Sequence, residues 1–154
     1  MPVLTDLHTD TRCETLVLER FFAGRVRGRG AFVNAWTRAR RELTIDITCH
    51  WDGKVLILDE DFLYADGAHE HMIWRLEQTG PGTFSGTRDD VIGTARLWTE
   101  GPAVRLQYKL RLAGTGFDFS EKMRLFPDGK VRTRAWVRKW GIPVGTVDLV
   151  IEPV

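Results

Sequence analysis

Apolar and polar residues alternate along most of the chain, from about Gly24 to Glu152, and turns rich in Gly, Asp and Pro interrupt the alternation. The segment 104–112, VRLQYKLRL, is the clearest case, because its even positions are apolar and its odd positions are basic or amide. A period of two is typical of a β-strand with one buried and one solvated face. The repetition of such segments predicts an all-β fold of antiparallel strands.

The turns between these segments are short. Asp52-Gly53 and Asp128-Gly129 each lie between strand-like segments and are strong hairpin signals. We place about ten strands near 25–36, 40–51, 54–64, 69–77, 82–87, 91–99, 103–112, 117–126, 130–140 and 145–152. Short connections favour an up-and-down meander, and closing that meander into a barrel removes its exposed edges.

Residues 11–23 are the only segment that resembles a helix. Thr11 could cap this helix, with Glu14 as its capping-box partner. Leu16, Phe21 and Phe22 would then close one end of the barrel. At 154 residues the chain is expected to form one domain over 1–154, with a loosely ordered segment over 1–15.

Composition excludes several classes of protein. The formal net charge of +1 argues against attraction of the whole domain to nucleic acid. No apolar stretch approaches the length of a transmembrane helix, and no basic region followed by an apolar run precedes the first strands. The two cysteines, Cys13 and Cys49, fit neither a disulfide framework nor a metal site. We therefore expect a cytoplasmic protein without a cofactor.

Glu121 is the most unusual residue of the pattern, because it interrupts an apolar stripe between Phe119 and Met123. A buried carboxylate needs a partner or a proton. Glu121 could be a polar anchor or a general acid/base in a pocket. It could instead pair with an arginine of a neighbouring strand, or turn outward at a bulge, and the pattern alone favours these structural alternatives.

Two other motifs could belong to a metal site. Asp59, Glu60 and Asp61 are consecutive in a strand, so at least one of them points toward the core. His69 and His71 lie on one face of the next strand. Neither motif contains a full set of ligands, so we favour solvated strand ends and expect no metal.

Arg25, Arg27 and Arg29 alternate along the first strand, and further arginines follow at 38–41. They could bind a phosphate or a lipid headgroup, or could simply form an exposed face. Because no aromatic residues are interleaved on that face, nucleic-acid binding is not expected.

Six tryptophans is a high number for this length. They could line a cavity and present indole N–H donors, although core packing would account for most of them. Lys139 could be a cation at the barrel mouth or the exposed end of a strand.

Several ordered motifs carry a resemblance to a known family. They are LERFFAG at 18–24, LTIDI at 43–47, LDEDFLYADG at 58–67, Trp74, GTRDDVIGTA at 86–95, Tyr108 and KWG at 139–141, followed by Gly145. With these motifs the chain resembles domain-of-unknown-function family 3833, a bacterial family described as lipocalin-like. The resemblance implies a lipocalin- or calycin-like barrel and does not imply any particular reaction or cofactor.

The chain also departs from the family in two places. Many relatives look like secreted lipoproteins, whereas residues 10–13 here do not form a lipobox. Glu121 lies near an acidic position of the family, although Ser120 and Lys122 differ from its pattern.

Three functions are compatible with these observations. The first is binding of a small hydrophobic or amphipathic ligand, such as a fatty acid or a lipid-like molecule, inside the barrel. The candidate anchors are Glu60, Asp90, Glu121, Arg134 and Lys139, and the candidate walls are Trp74, Tyr108 and Trp136.

The second is a cofactor-independent isomerase, cyclase or dehydratase acting on such a ligand. Glu121 or Asp90 would be its base and Tyr108 its proton donor, although Asp90 could instead cap a turn. The third is a structural or interaction domain with a packed core.

Overall fold

The computed structural model describes residues 14–154, which form one short helix and a closed antiparallel barrel of ten strands. The helix is α1 (Leu18–Phe21), and the strands are β1 (Gly24–Asn34), β2 (Arg40–Trp51), β3 (Val55–Tyr64), β4 (His69–Gly80), β5 (Thr83–Thr87), β6 (Ala95–Glu100), β7 (Ala103–Leu112), β8 (Thr115–Leu125), β9 (Val131–Lys139) and β10 (Ile142–Pro153). The predicted all-β, up-and-down barrel with a short N-terminal helix is confirmed.

The barrel closes where the first strand meets the last. β1 pairs antiparallel with β10 from Val26 opposite Pro153 to Asn34 opposite Gly145, and every other pairing joins strands that follow each other in the chain. The registers of β7 with β8 and of β8 with β9 contain no bulge, so alternate side chains point inward without interruption. The period of two in the sequence therefore becomes an inner and an outer wall.

The predicted helix over residues 11–23 is wrong in its extent. Only Leu18–Phe21 is helical, and no helix in residues 14–154 is long and apolar enough to cross a membrane. The backbone N–H of Glu14 donates to the carbonyl of Leu125 at 2.7 Å, which places Glu14 in a β-bridge rather than in a capping box. Thr11 and the rest of the segment predicted to be loosely ordered, up to residue 13, lie outside the described residues.

The short helix nevertheless closes one end of the barrel. Leu16 and Phe22 are each only 1% exposed, Leu18 is buried beside them, and Phe21 packs edge-on against Phe22. The turns β2–β3, β4–β5, β6–β7 and β8–β9 surround this closed end. The turns β1–β2, β3–β4, β5–β6, β7–β8 and β9–β10 surround the opposite end, which we call the mouth.

Closure of the barrel requires a glycine in β1. A Cβ atom on Gly30 would lie 1.7 Å from the carbonyl oxygen of Asp148 in β10, whereas one on Gly28 would lie 3.4 Å from the nearest side-chain atom. We expect Gly30→Ala to lower the free energy of unfolding by at least about 2 kcal/mol, because the backbones of β1 and β10 would have to separate. Gly28→Ala, two residues earlier on the same strand, should be nearly neutral. Urea unfolding followed by tryptophan fluorescence measures both variants, and equal effects would contradict the prediction.

Candidate ligand cavity

The interior of the barrel is hollow. A cavity of about 510 Å³ extends from Leu18 and Phe22 at the closed end to Leu112 and Phe117 near the mouth. Most of its wall consists of aliphatic and aromatic side chains from the inner faces of the strands. The interior is therefore not the solid core that the third functional hypothesis requires.

A cluster of charged side chains interrupts this apolar wall. The Arg88 guanidinium donates from Nε and Nη2 to the two oxygens of Asp90, at 2.6 and 2.8 Å, and from Nη1 to Oε1 of Glu60, at 3.1 Å. The side chains of Arg88, Glu60 and Asp90 are 10%, 9% and 15% exposed. Charge-assisted bonds of this geometry are the usual way in which buried charges are compensated.

The chain holds this cluster with backbone hydrogen bonds. Because β6 begins only at Ala95, the predicted strand start at residue 91 is four residues early, and residues 88–94 form a loop instead. The loop completes the wall next to β7, since Arg111 donates its backbone N–H to the carbonyl of Asp90 and Ile92 donates to that of Lys109, each at 2.8 Å. The backbone of Asp90 is therefore fixed by pairing with β7, and the carbonyl of Arg88 accepts the N–H of Val91 at 2.9 Å within the loop.

Aromatic rings connect the charged cluster with the opposite wall. The Arg88 guanidinium lies over the Trp74 ring, 4.9 Å from its centre, which is a favourable cation–π arrangement. Trp74 contacts Tyr108 edge-to-face at 5.4 Å, and Tyr108 stacks on Phe119 at 5.1 Å. A ligand in the cavity would meet one continuous aromatic surface.

Glu121 faces the cavity and is held by hydroxyl groups. Tyr108 donates its O–H to Oε2 of Glu121, and Thr133 donates its O–H to Oε1, both at 2.8 Å. Within residues 14–154 Glu121 has neither the arginine partner nor the outward bulge that the sequence pattern favoured. Two short neutral donors from neighbouring strands satisfy the carboxylate instead.

The buried groups have strongly shifted proton affinities. Burial raises the pKa of Glu60 to about 7, with smaller contributions from the charges of Glu121 and Asp90, even though Arg88 acts to lower it. Burial, reinforced by the charge of Glu121, raises the pKa of Tyr108 well above its ordinary value. Burial acts to lower the pKa of Arg88, but the bonds and charges of Asp90 and Glu60 raise it above its ordinary value. At neutral pH Tyr108 therefore remains a donor, Arg88 remains a cation, and Glu60 is poised to exchange a proton.

The structure places five of the eight candidate residues around the cavity. They are Glu60, Trp74, Asp90, Tyr108 and Glu121. Arg134 and Trp136 occupy the outward positions of β9 and lie on the outer wall, where Arg134 donates from Nε to Asp148 at 2.6 Å. Lys139 lies at the mouth, with its ammonium group near the rings of Phe117 and Trp140.

Two cavity residues, Arg88 and Thr133, were not identified from the sequence. Arg88 continues the inward parity of Phe84 and Gly86 in β5, and Thr133 is the one hydroxyl residue in an apolar inward stripe of β9. The alternation of the sequence therefore indicated that both side chains face inward, although Arg88 lies beyond the end of β5.

The other motifs lie on the outer wall. Asp59 pairs with His71 at 2.5 Å, and His69 and Asp61 are exposed. Arg27 donates from Nε to Asp46 at 2.7 Å across the first two strands. Within residues 14–154 no group of three or more His, Cys, Asp or Glu side chains could hold a metal ion.

Comparisons with known proteins agree with this architecture. The family model described as "Protein of unknown function (DUF3833)" matches residues 5–153, which is nearly the whole chain. No curated protein matches the sequence. Among solved structures, the S-type phycobiliprotein lyase CPES from Guillardia theta is similar, with a TM-score of 0.63, 10% sequence identity, and coverage of 86% of this chain and 88% of that one. At this identity the likeness shows a shared calycin-like barrel fold.

The raised pKa of Glu60 makes a prediction for stability. The fold favours the protonated carboxyl of Glu60. The contribution of this group to the free energy of unfolding is therefore fully present below the ordinary pKa of 4.5 and is lost as the pH rises through about 7. Glu60→Gln keeps a neutral acceptor for Arg88 at every pH. Relative to the wild type, the variant should therefore gain stability between these two pH values, by at most on the order of 3 kcal/mol.

Urea unfolding between pH 4 and pH 8 measures this difference. Asp61→Asn is the matched control, because the neighbouring Asp61 side chain is exposed on the outer wall. Parallel stability curves for wild type and Glu60→Gln would contradict the prediction.

Proposed function

The chain belongs to the DUF3833 family, and we propose that this member binds a small, mainly apolar molecule inside its barrel, with the polar group of that molecule at the Glu60–Arg88–Asp90 cluster. The observation that carries the proposal is the hollow interior of about 510 Å³, whose apolar wall contains one built polar cluster. This volume and this mixture of surfaces are typical of small-molecule sites.

The charges of the cluster favour a particular kind of polar group. Among the described residues that line the cavity, the inner part carries the carboxyl groups of Glu60, Asp90 and Glu121 and the guanidinium of Arg88, while Arg41 and Glu70 line it toward the mouth. Arg88 already donates to Asp90 and Glu60, and within residues 14–154 no donor binds the second oxygen of Glu60. The site therefore offers mainly acceptors, and it suits a hydroxyl, amine or N–H group.

An ionised fatty acid is the least suitable of the lipid-like ligands. Its carboxylate would add a negative charge beside Asp90, Glu121 and, above about pH 7, an ionised Glu60, in a region of low polarity, which is unfavourable. A long-chain alcohol or amine, or an aromatic N–H compound, avoids this repulsion. We therefore propose a ligand whose polar group donates hydrogen bonds.

Two dyes that share one apolar body provide a direct test. N-phenyl-1-naphthylamine is neutral and carries an N–H donor, and 8-anilinonaphthalene-1-sulfonate is the same molecule with an added sulfonate. At pH 8 we expect the neutral dye to bind in the cavity and the sulfonate to bind at least about tenfold more weakly. Fluorescence titration measures both affinities, and Glu60→Gln combined with Glu121→Gln should narrow the difference.

Two variants locate the binding. Ala135→Leu adds bulk to the inner wall and should weaken binding of the neutral dye, whereas Arg134→Gln on the outer wall should leave both affinities unchanged. If the folded wild type failed to bind the neutral dye, the carrier proposal would be wrong. If the sulfonate bound as tightly as the neutral dye, only the preference for donors would be wrong.

A second candidate function is cofactor-independent acid/base catalysis on such a ligand. The observation that favours it is a carboxyl with a pKa of about 7 inside a cavity, because a general acid/base works best when its pKa is near the working pH. Glu60 would exchange the proton, while Tyr108 stays protonated and donates. For any ligand identified by binding, Glu60→Gln should retain the affinity and abolish conversion of the ligand to a product that chromatography separates from it.

A further inference from the structure

The exposed apolar side chains are concentrated at one end of the barrel. Of the nine large hydrophobic residues that are exposed in residues 14–154, six lie at or next to the mouth: Trp36, Leu63, Ile92, Leu112, Trp140 and Ile142. Ile73 and Val150 lie on the outer wall, and the C-terminal Val154 is the only one near the closed end. An exposed apolar surface of this kind, rimmed by polar residues, is typical of an interaction site.

One side of the mouth also carries basic residues. The turns β1–β2, β9–β10 and β7–β8 are consecutive around the mouth, because β1 pairs with β10 and β9 pairs with β8. The segments 35–41, 110–116 and 137–144, which contain these turns, carry six Arg or Lys residues and no Asp or Glu. Two of these basic residues are paired, Arg40 with Glu42 at 3.3 Å and Arg41 with Asp66 of the next turn at 3.0 Å. The remaining two turns carry Asp66, Glu70 and Asp89 together with the Arg88–Asp90 pair, so one side of the mouth has a net positive charge and the other a net negative charge.

The fold does not explain why a tryptophan occupies position 140, at the tip of the β9–β10 turn. Its side chain is 84% exposed, and its backbone has a φ of 51°, in the left-handed region that bulky residues rarely adopt. Gly141 follows with a φ of 76°, which gives the type I′ hairpin turn in which Asn or Gly is usual at the first position. Neither burial nor backbone conformation therefore favours tryptophan at this position.

Trp36 extends the same surface from the neighbouring turn. Its indole N–H donates to the carbonyl of Pro143 at 2.9 Å, which fixes the ring against the β9–β10 hairpin, and the side chain remains 75% exposed. The ammonium of Lys139 lies 4.7 Å from the Trp140 ring centre. The two tryptophans and their basic neighbours thus form one surface, which we call the tryptophan rim: Trp36, Arg38, Arg40, Arg111, Leu112, Arg138, Lys139, Trp140 and Ile142.

We propose that the tryptophan rim docks on the surface of a phospholipid bilayer that contains anionic lipids. Tryptophan rings prefer the interface between lipid and water, and clustered Arg and Lys side chains are attracted to anionic headgroups. The cavity wall is continuous with this surface through Leu112 and Phe117, so docking would let an apolar molecule move between bilayer and barrel without crossing water. The acidic side of the mouth would be turned away from the lipid.

Vesicle binding tests the proposal without any knowledge of the cavity ligand. Purified protein is mixed at low salt with vesicles of phosphatidylcholine alone or with one-fifth phosphatidylglycerol, and the bound fraction is measured by flotation. We expect binding to the anionic vesicles that weakens on addition of salt. The double variant Trp36→Ser with Trp140→Asn should bind at least about tenfold more weakly.

A matched control removes exposed apolar residues elsewhere. Ile73→Ser with Val150→Ser changes two exposed outer-wall residues and should bind as the wild type does. Asparagine is favoured at this turn position, so Trp140→Asn alone should not lower the unfolding temperature. A loss of vesicle binding by this single variant could therefore not be attributed to misfolding.

Three results would overturn the proposal. They are no binding of the wild type to anionic vesicles, equal binding by the rim and outer-wall variants, or a wild-type dimer in sedimentation that the rim variant does not form. The last result would assign the surface to a second copy of the chain. Dye binding in the cavity is measured separately, so failure of vesicle binding leaves the carrier proposal standing.

Discussion

The structure depends on the pairing of β1 with β10. An open meander of ten strands would leave two edges unpaired and would expose the inner side chains to water, and closure removes both problems at once. The two strands approach so closely at Gly30 that no side chain can stand there. The pairing of β1 with β10 therefore closes the sheet into a barrel, and the enclosed cavity exists because of this closure.

The side chains of the chain do not fill the interior of the barrel, and this loose packing needs a physical reason. Burying three carboxylates and a guanidinium costs free energy that the ion pairs and hydroxyl donors only partly return, so apolar residues in their place would be expected to be neutral or more stable. The side chains of the chain also leave a cavity of about 510 Å³ where larger side chains could pack. Both features are unfavourable for stability alone, and both are accounted for if the interior is shaped for another molecule.

The sequence was sufficient to predict the strands and much of the wall. Because alternation sets the face of each side chain, it put Glu121 in an inward stripe, and Glu121 does line the cavity. Arg134 and Trp136, which were predicted to be an anchor and a wall of the site, lie on the outer wall instead. Alternation failed where backbone geometry departs from a regular strand. The helix was predicted too long because Glu14 pairs with Leu125, a contact between distant segments that local propensity does not report.

Arg88 shows a second limit of prediction from the alternation of apolar and polar residues. It continues the inward parity of β5 but lies one residue beyond the end of that strand, where alternation alone predicts no pairing. The loop nevertheless pairs with β7 and presents the arginine to Glu60, 28 positions earlier in the chain. The partner of a buried charge is a tertiary property, so the sequence identified the need for compensation but assigned it to the wrong carboxylate. For Glu121 an arginine partner was expected, but the donors are the neutral hydroxyl groups of Tyr108 and Thr133, which a search of the sequence for opposite charges does not find.

The two ends of the barrel use apolar residues in opposite ways. At the closed end Leu16, Leu18 and Phe22 are buried and close the barrel, whereas at the mouth Trp36 and Trp140 remain in water. These exposed rings bury little apolar surface on folding, and Trp140 also occupies a backbone conformation that is unfavourable for a bulky residue. Since stability explains the first end and not the second, the mouth is where the demands of function outweigh those of the fold. It is also the end through which anything that occupies the cavity must pass.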